Sequence, residues 1–276
     1  MPVKHCIVTA LNERPAISRV MLNCAKRLKI DVVAACHNEE DADLVREYGQ
    51  EVVMVKQNNP SYKFNIALFA ALASQKNYSH FITMGDDDTI SDVFTLYPEH
   101  EYVGFADNYY IDTETGKCGI HDYRKLVPYP KAIGAGRVLS RKAIYDSAYC
   151  TDVRVIREHK DEYCTFTIGN NMRMRKSVAQ MFERMGFVRI VEDEYIGLWP
   201  EAKHGLDYRS DLRLIRSGFI PHIVESDRVH VVDVKSSRNI WSFDILQNKM
   251  QQADIDDAFW FMDQSEKEYI QSLISK

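Results

Sequence analysis

The chain has 276 residues, of which 45% are hydrophobic and 27% charged, and these ordinary proportions exclude a disordered or low-complexity protein. Its net charge of −5 excludes a generally basic nucleic-acid binder, and its longest clean apolar run, residues 66–73, is too short to span a bilayer. The six cysteines form no Cys-x-x-Cys pair and the N-terminus lacks a signal-peptide layout, so we expect reduced thiols and a cytoplasmic protein without a transmembrane segment.

Strand and helix signals alternate over the first third of the chain. Short apolar runs predict strands, and apolar residues at helical spacing predict the helices between them. Pro15 suits the first position of a helix, and Asn38 is a suitable N-cap for the next. The predicted strands cover residues 5–10, 30–36, 51–55 and 81–84, and the helices follow Pro15, follow Asn38 and cover residues 62–74.

This alternation predicts an α/β fold with a mainly parallel sheet, flanked by helices and joined by right-handed crossovers. The carboxyl ends of parallel strands share one edge of the sheet, so the loop 9–14 and the aspartates after the fourth strand are expected to meet there. A loop that leads into a helix N-terminus suits a nucleotide at that edge. The sequence has neither Gly-x-Gly-x-x-Gly nor Gly-x-x-x-x-Gly-Lys-Ser/Thr, so we expect a metal ion to hold a diphosphate.

The second half has less regular signals. Ser140 is a suitable cap for a helix that follows Gly134-Ala-Gly136, and Ser265-x-x-Glu268 reads as a capping box. Further strands are predicted over 102–106, 109–112, 165–168, 220–224 and 228–232, and further helices over 177–185, 207–216 and beyond residue 240. We predict one domain over residues 1–239, made of two halves, 1–112 and 113–239, and a helical C-terminal extension, 240–276.

Three consecutive aspartates, Asp86, Asp87 and Asp88, follow the fourth predicted strand through Gly85. Their charges repel one another, and no turn or helix cap requires more than one of them. Mg²⁺ or Mn²⁺ would cancel the repulsion, because both ions favour carboxylate oxygens and keep substrate phosphates as further ligands. The alternative is a solvated acidic loop, but a position at the end of a buried strand favours the metal site.

Four segments together resemble the GT-A nucleotide-sugar glycosyltransferases, from about His5 to Asp233. Thr9-Ala-Leu-Asn-Glu-Arg-Pro15 looks like the donor-base loop of that family, and Asp86-Asp-Asp88 matches its Asp-x-Asp motif. Residues 133–144 are similar to the acceptor-side segment of fringe-like members. Residues 205–214, with His230 after them, look like the late acidic segment and its metal-binding histidine. The chain departs from the family at Glu13, at Ile133 and at Leu206.

The resemblance implies a GT-A glycosyltransferase domain with a nucleotide-sugar-binding half, 1–112, and an acceptor half, 113–239, and it implies a role for each matching residue. Asp207 would be the catalytic base, with Asp211 as the second candidate. Asp86 would face ribose and metal and Asp88 would bind the metal directly, while Asp87 is the one whose side chain is left over. The full set comprises a donor site of Thr9, Leu11, Asn12, Arg14, Lys63, Asp86 and Asp87, a metal site of Asp86, Asp88 and His230, and an acceptor site of Gly134, Ala135, Gly136 and Trp199.

Each role has a structural alternative. Asp207 can cap the helix that it precedes, and His230 can be a core histidine in an apolar run. Lys63 can be an ordinary surface lysine. Asn12 and Arg14 can be turn residues, and Gly134 and Gly136 can serve backbone geometry alone.

The implied reaction is metal-dependent transfer of a sugar from a nucleoside diphosphate sugar, preferably UDP-linked, to a hydroxyl acceptor. Basic residues around Arg137, Arg141, Lys142 and Arg173 admit an anionic acceptor, so a glycan, a lipid or a hydroxylated base in DNA all stay open. A dedicated base favours inversion, and retention stays open. Two other readings are a sugar nucleotidyltransferase and a non-catalytic nucleotide- or glycan-binding protein.

Overall fold

The computed structural model describes residues 3–125, 132–148, 154–159, 163–167, 171–175, 198–199, 206–237, 243 and 247–274. The helices within these ranges are α1 (Pro15–Leu28), α2 (Glu39–Glu47), α3 (Pro60–Ala73), α4 (Arg141–Ala148), α5 (Leu206–Arg216), α6 (Ile255–Ala258) and α7 (Gln264–Ile274). The strands are β1 (His5–Ala10), β2 (Asp31–Cys36), β3 (Glu51–Met54), β4 (His80–Thr83), β5 (Asp88–Ile90), β6 (Tyr102–Gly104), β7 (Asp107–Asp112), β8 (Cys118–Asp122), β9 (Arg137–Ser140), β10 (Arg154–His159), β11 (Tyr163–Thr167), β12 (Asn171–Arg175), β13 (His222–Ile223), β14 (Val231–Lys235) and β15 (Gln251–Ala253).

The main sheet has seven strands in the order β13-β6-β9-β4-β1-β2-β3. Strands β1, β2, β3 and β4 run parallel, as do β6 and β13, while β9 is antiparallel to both of its neighbours. Helices α1, α2 and α3 connect the four parallel strands, and the apolar sides of α1 and α3 are buried. This confirms the predicted α/β class with a mainly parallel sheet flanked by helices.

Strand β9 occupies a segment where only a loop and a helix were predicted. Arg137 begins it opposite Thr83 of β4, and the strand ends at Ser140. The helix α4 then begins at Arg141, and the Ser140 hydroxyl accepts a hydrogen bond from the backbone NH of Ala143, as its predicted capping role requires. A run of four strand residues directly before a helix leaves little period-two signal in the sequence.

A second sheet of five strands, in the order β15-β8-β7-β14-β5, lies against the carboxyl end of β4. Strand β5 begins at Asp88 and pairs antiparallel with β14, which places Asp88 opposite Asp233. One face of this sheet is apolar and packs against the C-terminal helices, with Ile111, Val232 and Val234 contacting the cluster that includes Phe259 and Ile270. The other face carries polar side chains and forms a wall of the site described below.

The C-terminal segment combines a short strand, β15, with helices α6 and α7, where only helix was predicted. Asp263 caps α7 through a hydrogen bond of 2.9 Å from the backbone NH of Glu266, so the predicted capping box at Ser265 is wrong by two residues. Glu266 is therefore directed inward, where it pairs with Arg27 of α1. The helix predicted over residues 177–185 lies outside the described residues.

Candidate metal and nucleotide site

The site begins at the turn that follows β4. The backbone NH of Gly85 donates a hydrogen bond of 2.6 Å to the Asp88 carboxylate, which folds the turn back on itself. A Cβ at position 85 would stand 2.5 Å from Asp87 Oδ1 and 3.0 Å from Asp88 Oδ2. A side chain at position 85 would therefore displace the Asp87 and Asp88 carboxylates from their present positions.

Three carboxylates converge beyond this turn: Asp87, Asp88 and Asp233. Each contributes an oxygen, and the three oxygens lie within 4.8 Å of one another. All three residues are buried, and Asp233 Oδ1 has no hydrogen-bond partner among the described residues. Converging carboxylate oxygens of this kind match the ligands that Mg²⁺ and Mn²⁺ prefer, and an unpartnered buried oxygen calls for one. The donor set therefore fits a hard divalent cation.

Two cationic side chains contact the acidic residues. Lys235 Nζ lies 2.6 Å from Asp233 Oδ2 and 3.7 Å from Asp87 Oδ2. Arg14 pairs with Asp86 and approaches Asp87 at 3.4 Å. When all groups are ionised, the three clustered carboxylates and Asp86 carry two more negative charges than these two cations supply, which is the charge of one divalent ion.

Asp86, in contrast, turns toward the loop 11–14. Its carboxylate accepts hydrogen bonds from Arg14, from the Ser18 hydroxyl at 2.9 Å and from the backbone NH of Asn12 at 3.2 Å. Both oxygens are occupied and the side chain is 1% exposed. Asp86 thus ties the loop and the first turn of α1 to the carboxyl end of β4, and Asp87 stands where Asp86 was expected in the metal cluster.

Lys63 holds the same loop from the other side. Its side chain is completely buried, and its ammonium group donates to the Leu11 carbonyl and, at 3.2 Å, to Asn12 Oδ1. Burial lowers the pKa of Lys63, and Asp41 opposes that shift. Lys63 therefore lies beside the loop 11–14 and is not a surface lysine. Its ammonium group is bonded to the loop itself. Thr9 and Leu11 are also buried in the protein interior.

The crowded carboxylates predict how stability varies with pH. Burial raises the pKa of Asp233 to about 7 from 3.8, and raises the pKa of Asp88 well above its usual value. An acid with a raised pKa in the folded state contributes its full stability below the unfolded value and loses it as the pH rises through the folded value. In chelator, the melting temperature is therefore expected to fall between about pH 4 and pH 7, and Mn²⁺ should remove most of that dependence. Thermal unfolding across this range, with and without Mn²⁺, measures it; a chelated protein that gains stability over the range contradicts it.

The structure does not bring His230 to the carboxylates. Its Nδ1 lies 2.7 Å from the Ser91 hydroxyl, and its ring packs between Phe105 and Trp260, with centroid distances of 6.1 and 5.2 Å. His230 therefore lies outside the group of converging carboxylates, and Asp233, three residues later, occupies the place in that group where His230 was expected. Strand β14 begins at Val231, so Asp233 lies inside it and faces Asp88.

The two catalytic candidates lie on α5. Asp211 is buried and accepts a hydrogen bond of 2.6 Å from the Tyr102 hydroxyl, at the amino-terminal end of β6 and level with Phe81 of β4. It therefore lies in the interior, away from the carboxyl edge, and the structure does not support it as a base. Asp207 is the second residue of α5, and its side chain lies outside the described part of the structure.

The direction of α5 bears on Asp207. Ser210 contacts Arg137, which lies opposite Thr83 near the carboxyl end of β4. Phe219, just after the other end of the helix, packs its ring against the ammonium group of Lys142. Lys142 follows Ser140, which pairs with His80 at the amino-terminal end of β4. The helix thus starts at the edge that carries the acidic cluster. Asp207 comes about 5 Å before Ser210 along its axis, on the side of that edge.

The expected acceptor residues divide into two groups. Gly136 donates its backbone NH to the Thr83 carbonyl at 2.9 Å, so the segment 134–136 runs beside the end of β4. Trp199 lies elsewhere: it is 3% exposed, its ring packs 5.3 Å from that of Phe64, and its backbone NH and carbonyl both pair with Asn65. The structure therefore places Trp199 in the core, without an open ring face for a sugar.

Two residues of the basic islands are structural. Arg137 is 3% exposed and donates to the carbonyls of Ala132 and Ile133 and to Ser210. Arg141 donates to the carbonyls of Leu72 and Tyr78. These guanidinium groups serve the backbone, which removes much of the support for an anionic acceptor.

No protein-family description and no curated protein matches the chain. Among solved structures, residues 1–349 of TarS from S. aureus are similar over 99% of this chain and 71% of that one, at 11% identity and a TM-score of 0.41. A CMP:2-keto-3-deoxy-manno-octonic acid synthetase complexed with CTP is similar over 89% of this chain and 96% of that one, at 12% identity and a TM-score of 0.37. The inositol-1-phosphate CTP transferase from T. maritima is similar over 90% of this chain and 96% of that one, at 10% identity and a TM-score of 0.36. Similarities at these identities and TM-scores do not establish a shared activity. Within the described residues, no helix combines the length and apolar character needed to cross a membrane.

Proposed function

We propose that the protein is a divalent-cation-dependent glycosyltransferase, which moves a sugar from a nucleoside diphosphate sugar, UDP-linked, to a hydroxyl acceptor. One observation carries the proposal: Asp87, Asp88 and Asp233 converge at the carboxyl edge of a mainly parallel sheet, beside a loop that Asp86 and Lys63 hold against that edge. Open α/β sheets bind their ligands at this edge.

The proposal gives each part of the site a task. Asp87, Asp88 and Asp233 would hold the cation, which supplies positive charge for the diphosphate that leaves. The loop 11–14 at the start of α1 would receive the nucleotide, since backbone NH groups at a helix N-terminus suit an anionic ligand. Arg14 and Lys235 lie close enough to the carboxylates to contact phosphate oxygens as well.

Asp207 is our proposed base. It would accept the proton of the acceptor hydroxyl while that oxygen bonds to the anomeric carbon and the bond from this carbon to the diphosphate breaks. The resemblance of residues 205–214 to the late acidic segment of GT-A enzymes and the start of α5 at the carboxyl edge support the assignment. A dedicated base of this kind favours inversion of the anomeric centre.

The first test is release of UDP from UDP-sugars. Incubation with Mn²⁺ and a panel of UDP-linked donors is expected to release UDP slowly to water and faster with a suitable acceptor. Glycans, lipids and hydroxymethylated DNA are the acceptor classes to compare. Absence of release from every donor, with and without acceptors, contradicts the proposal. Release of pyrophosphate from a nucleoside triphosphate and a sugar 1-phosphate would instead identify a nucleotidyltransferase.

Asp207→Asn gives a more specific prediction. The variant should bind UDP and Mn²⁺ as the wild type does, while transfer falls about a hundredfold or more, because general-base catalysis contributes about 10²–10⁴. Asp211→Asn is the matched control on the same helix: it is expected to lower stability, because Tyr102 would donate to a neutral amide oxygen in place of a carboxylate, and to leave the chemical step intact. Transfer by Asp207→Asn at the wild-type rate would exclude the residue as base.

A further inference from the structure

The polar face of the five-stranded sheet continues beyond the acidic cluster. Asp233 of β14 lies opposite Tyr110 of β7, and Asn108, two residues before Tyr110 on the same face, lies opposite His121 of β8. Direct contacts follow the same path: the Lys235 ammonium that pairs with Asp233 stands 5.2 Å from the Tyr110 ring centroid, and that ring is 6.2 Å from His121. We call Asn108, Tyr110, His121 and Tyr123 the tyrosine–histidine face.

This face holds buried polar atoms without partners among the described residues. They are Asn108 Oδ1 and both ring nitrogens of His121, and each of the two residues is only 3% exposed. A buried polar atom without a hydrogen bond costs about 1–3 kcal/mol, so native proteins rarely leave such atoms unpaired. Together with Asp233 Oδ1, these atoms form a row across three neighbouring strands of one sheet face.

The chemistry of the row is that of a hydroxyl-binding surface. Burial lowers the pKa of His121, so the ring is neutral at pH 7, with one nitrogen that donates and one that accepts. Asn108 Oδ1 accepts, and the Tyr110 and Tyr123 hydroxyls, 3.2 Å apart, do both. Each sugar hydroxyl also donates and accepts. Tyr110 also packs with Phe243 and Met250, which gives this surface the mixed polar and apolar character that sugar rings suit.

We infer that the tyrosine–histidine face binds the sugar of the nucleotide-sugar donor, with His121 and Asn108 hydrogen-bonded to its hydroxyls. This inference rests on the proposed function, because a sugar joined to a diphosphate at the acidic cluster must lie next to that cluster. Neighbouring strands are about 4.8 Å apart and the two positions are offset by two residues, so the backbone at His121 on β8 stands about 12 Å from the backbone at Asp233 on β14. One sugar ring with its phosphate linkage spans that gap. The face therefore selects the sugar, and the cation site takes no part in that choice.

His121→Phe tests the inference, because it keeps a ring of similar size and removes both nitrogens. Calorimetry with Mn²⁺ would compare UDP with UDP-glucose, UDP-galactose and UDP-N-acetylglucosamine. Affinity for the preferred UDP-sugar should fall about tenfold while affinity for UDP stays within about twofold. The melting temperature should stay equal or rise, since unpaired buried nitrogens are removed. His121→Gln, which keeps a donor and an acceptor, should retain most of the affinity.

Asn108→Leu is a second variant that tests the same face, and it should also weaken binding of the UDP-sugar more than binding of UDP. The matched control is His222→Phe, on the far edge strand β13, which should leave both affinities unchanged. The inference is overturned if both His121→Phe and Asn108→Leu weaken the affinities for UDP and for the UDP-sugar equally, or weaken neither. Buried water would then be the partner of these polar atoms. A marked loss of stability in His121→Phe would also overturn it, because the histidine would then be structural. Failure of the wild type to bind any nucleotide would instead contradict the proposed function.

Discussion

Asp88→Asn and Asp233→Asn are each expected to lower Mn²⁺-dependent release of UDP about a thousandfold. Each substitution removes one charge and one anionic ligand from the three carboxylates that lie within 4.8 Å of one another. A cation at a leaving diphosphate contributes several kcal/mol, and each 1.36 kcal/mol is tenfold in rate. Binding of Mn²⁺ should be lost in parallel, which calorimetry with the metal alone measures.

Asp88→Asn should also make the chelated protein more stable, whereas Asp233→Asn would leave the buried Lys235 without its closest counter-charge and is not expected to do so. Burial raises the pKa of Asp88 well above its usual value, and the charges of Asp233 and Asp87 raise it further. An asparagine of the same shape removes that repulsion, so the melting temperature in chelator should rise above that of the wild type. The gain should be larger at pH 8 than at pH 5, since the carboxylates repel one another only when ionised.

Asp227→Asn is the control for both readouts, because Asp227 is exposed on the loop before β14. It should leave UDP release, metal binding and melting temperature unchanged. Activity at the wild-type level in both Asp88→Asn and Asp233→Asn would show that the cluster is not a catalytic metal site. Lost activity with an unchanged Mn²⁺ affinity would assign the carboxylates to another task.

The sequence was sufficient to predict the four parallel strands β1 to β4 of the main sheet, because these strands and the helices between them carry strong periodic signals. The second sheet was missed for a physical reason. Strands β5 and β15 have only three residues each, too few for a period-two pattern, and their pairing depends on partners far along the chain. The sequence suggested that Arg137 and Arg141 belong to a basic surface for an anionic acceptor, but their guanidinium groups donate to backbone carbonyls. The neighbouring residues in the sequence do not show that a carbonyl distant along the chain, such as that of Leu72, accepts from an arginine.

The sequence predicted that the loop 9–14 and the aspartates would meet at one edge of the sheet, and in the structure Asn12 and Arg14 do contact Asp86. Asp87 and Asp88 enter the cluster, and Asp233 joins them in place of His230. The local sequence did hold one signal for Asp233: it is a carboxylate between Val232 and Val234, and a buried charge of that kind requires a partner. Its place in the cluster depends on the register of β14 against β5, which sets Asp233 opposite Asp88.

Asp86→Asn is expected to have the opposite effect on stability from Asp88→Asn, two residues away. One oxygen of Asp86 accepts from Arg14, and the other accepts from the Ser18 hydroxyl and the Asn12 NH. The NH2 group of an asparagine would replace one of these oxygens and would therefore face a hydrogen-bond donor. Arg14 would also lose its main counter-charge while it remains about nine-tenths buried. Breaking a buried ion pair costs about 3–5 kcal/mol, and for a chain of this size we expect the melting temperature to fall by about 10 °C.

The comparison separates two explanations of the aspartate run. If Asp86 were a metal ligand, Asp86→Asn would weaken Mn²⁺ binding and, like Asp88→Asn, stabilise the chelated protein. If Asp86 anchors the loop 11–14, the variant loses stability with and without metal, and nucleotide affinity falls because the loop is no longer held at the edge. Thermal unfolding in chelator decides between them by its sign alone, since identical substitutions two residues apart must then shift the melting temperature in opposite directions.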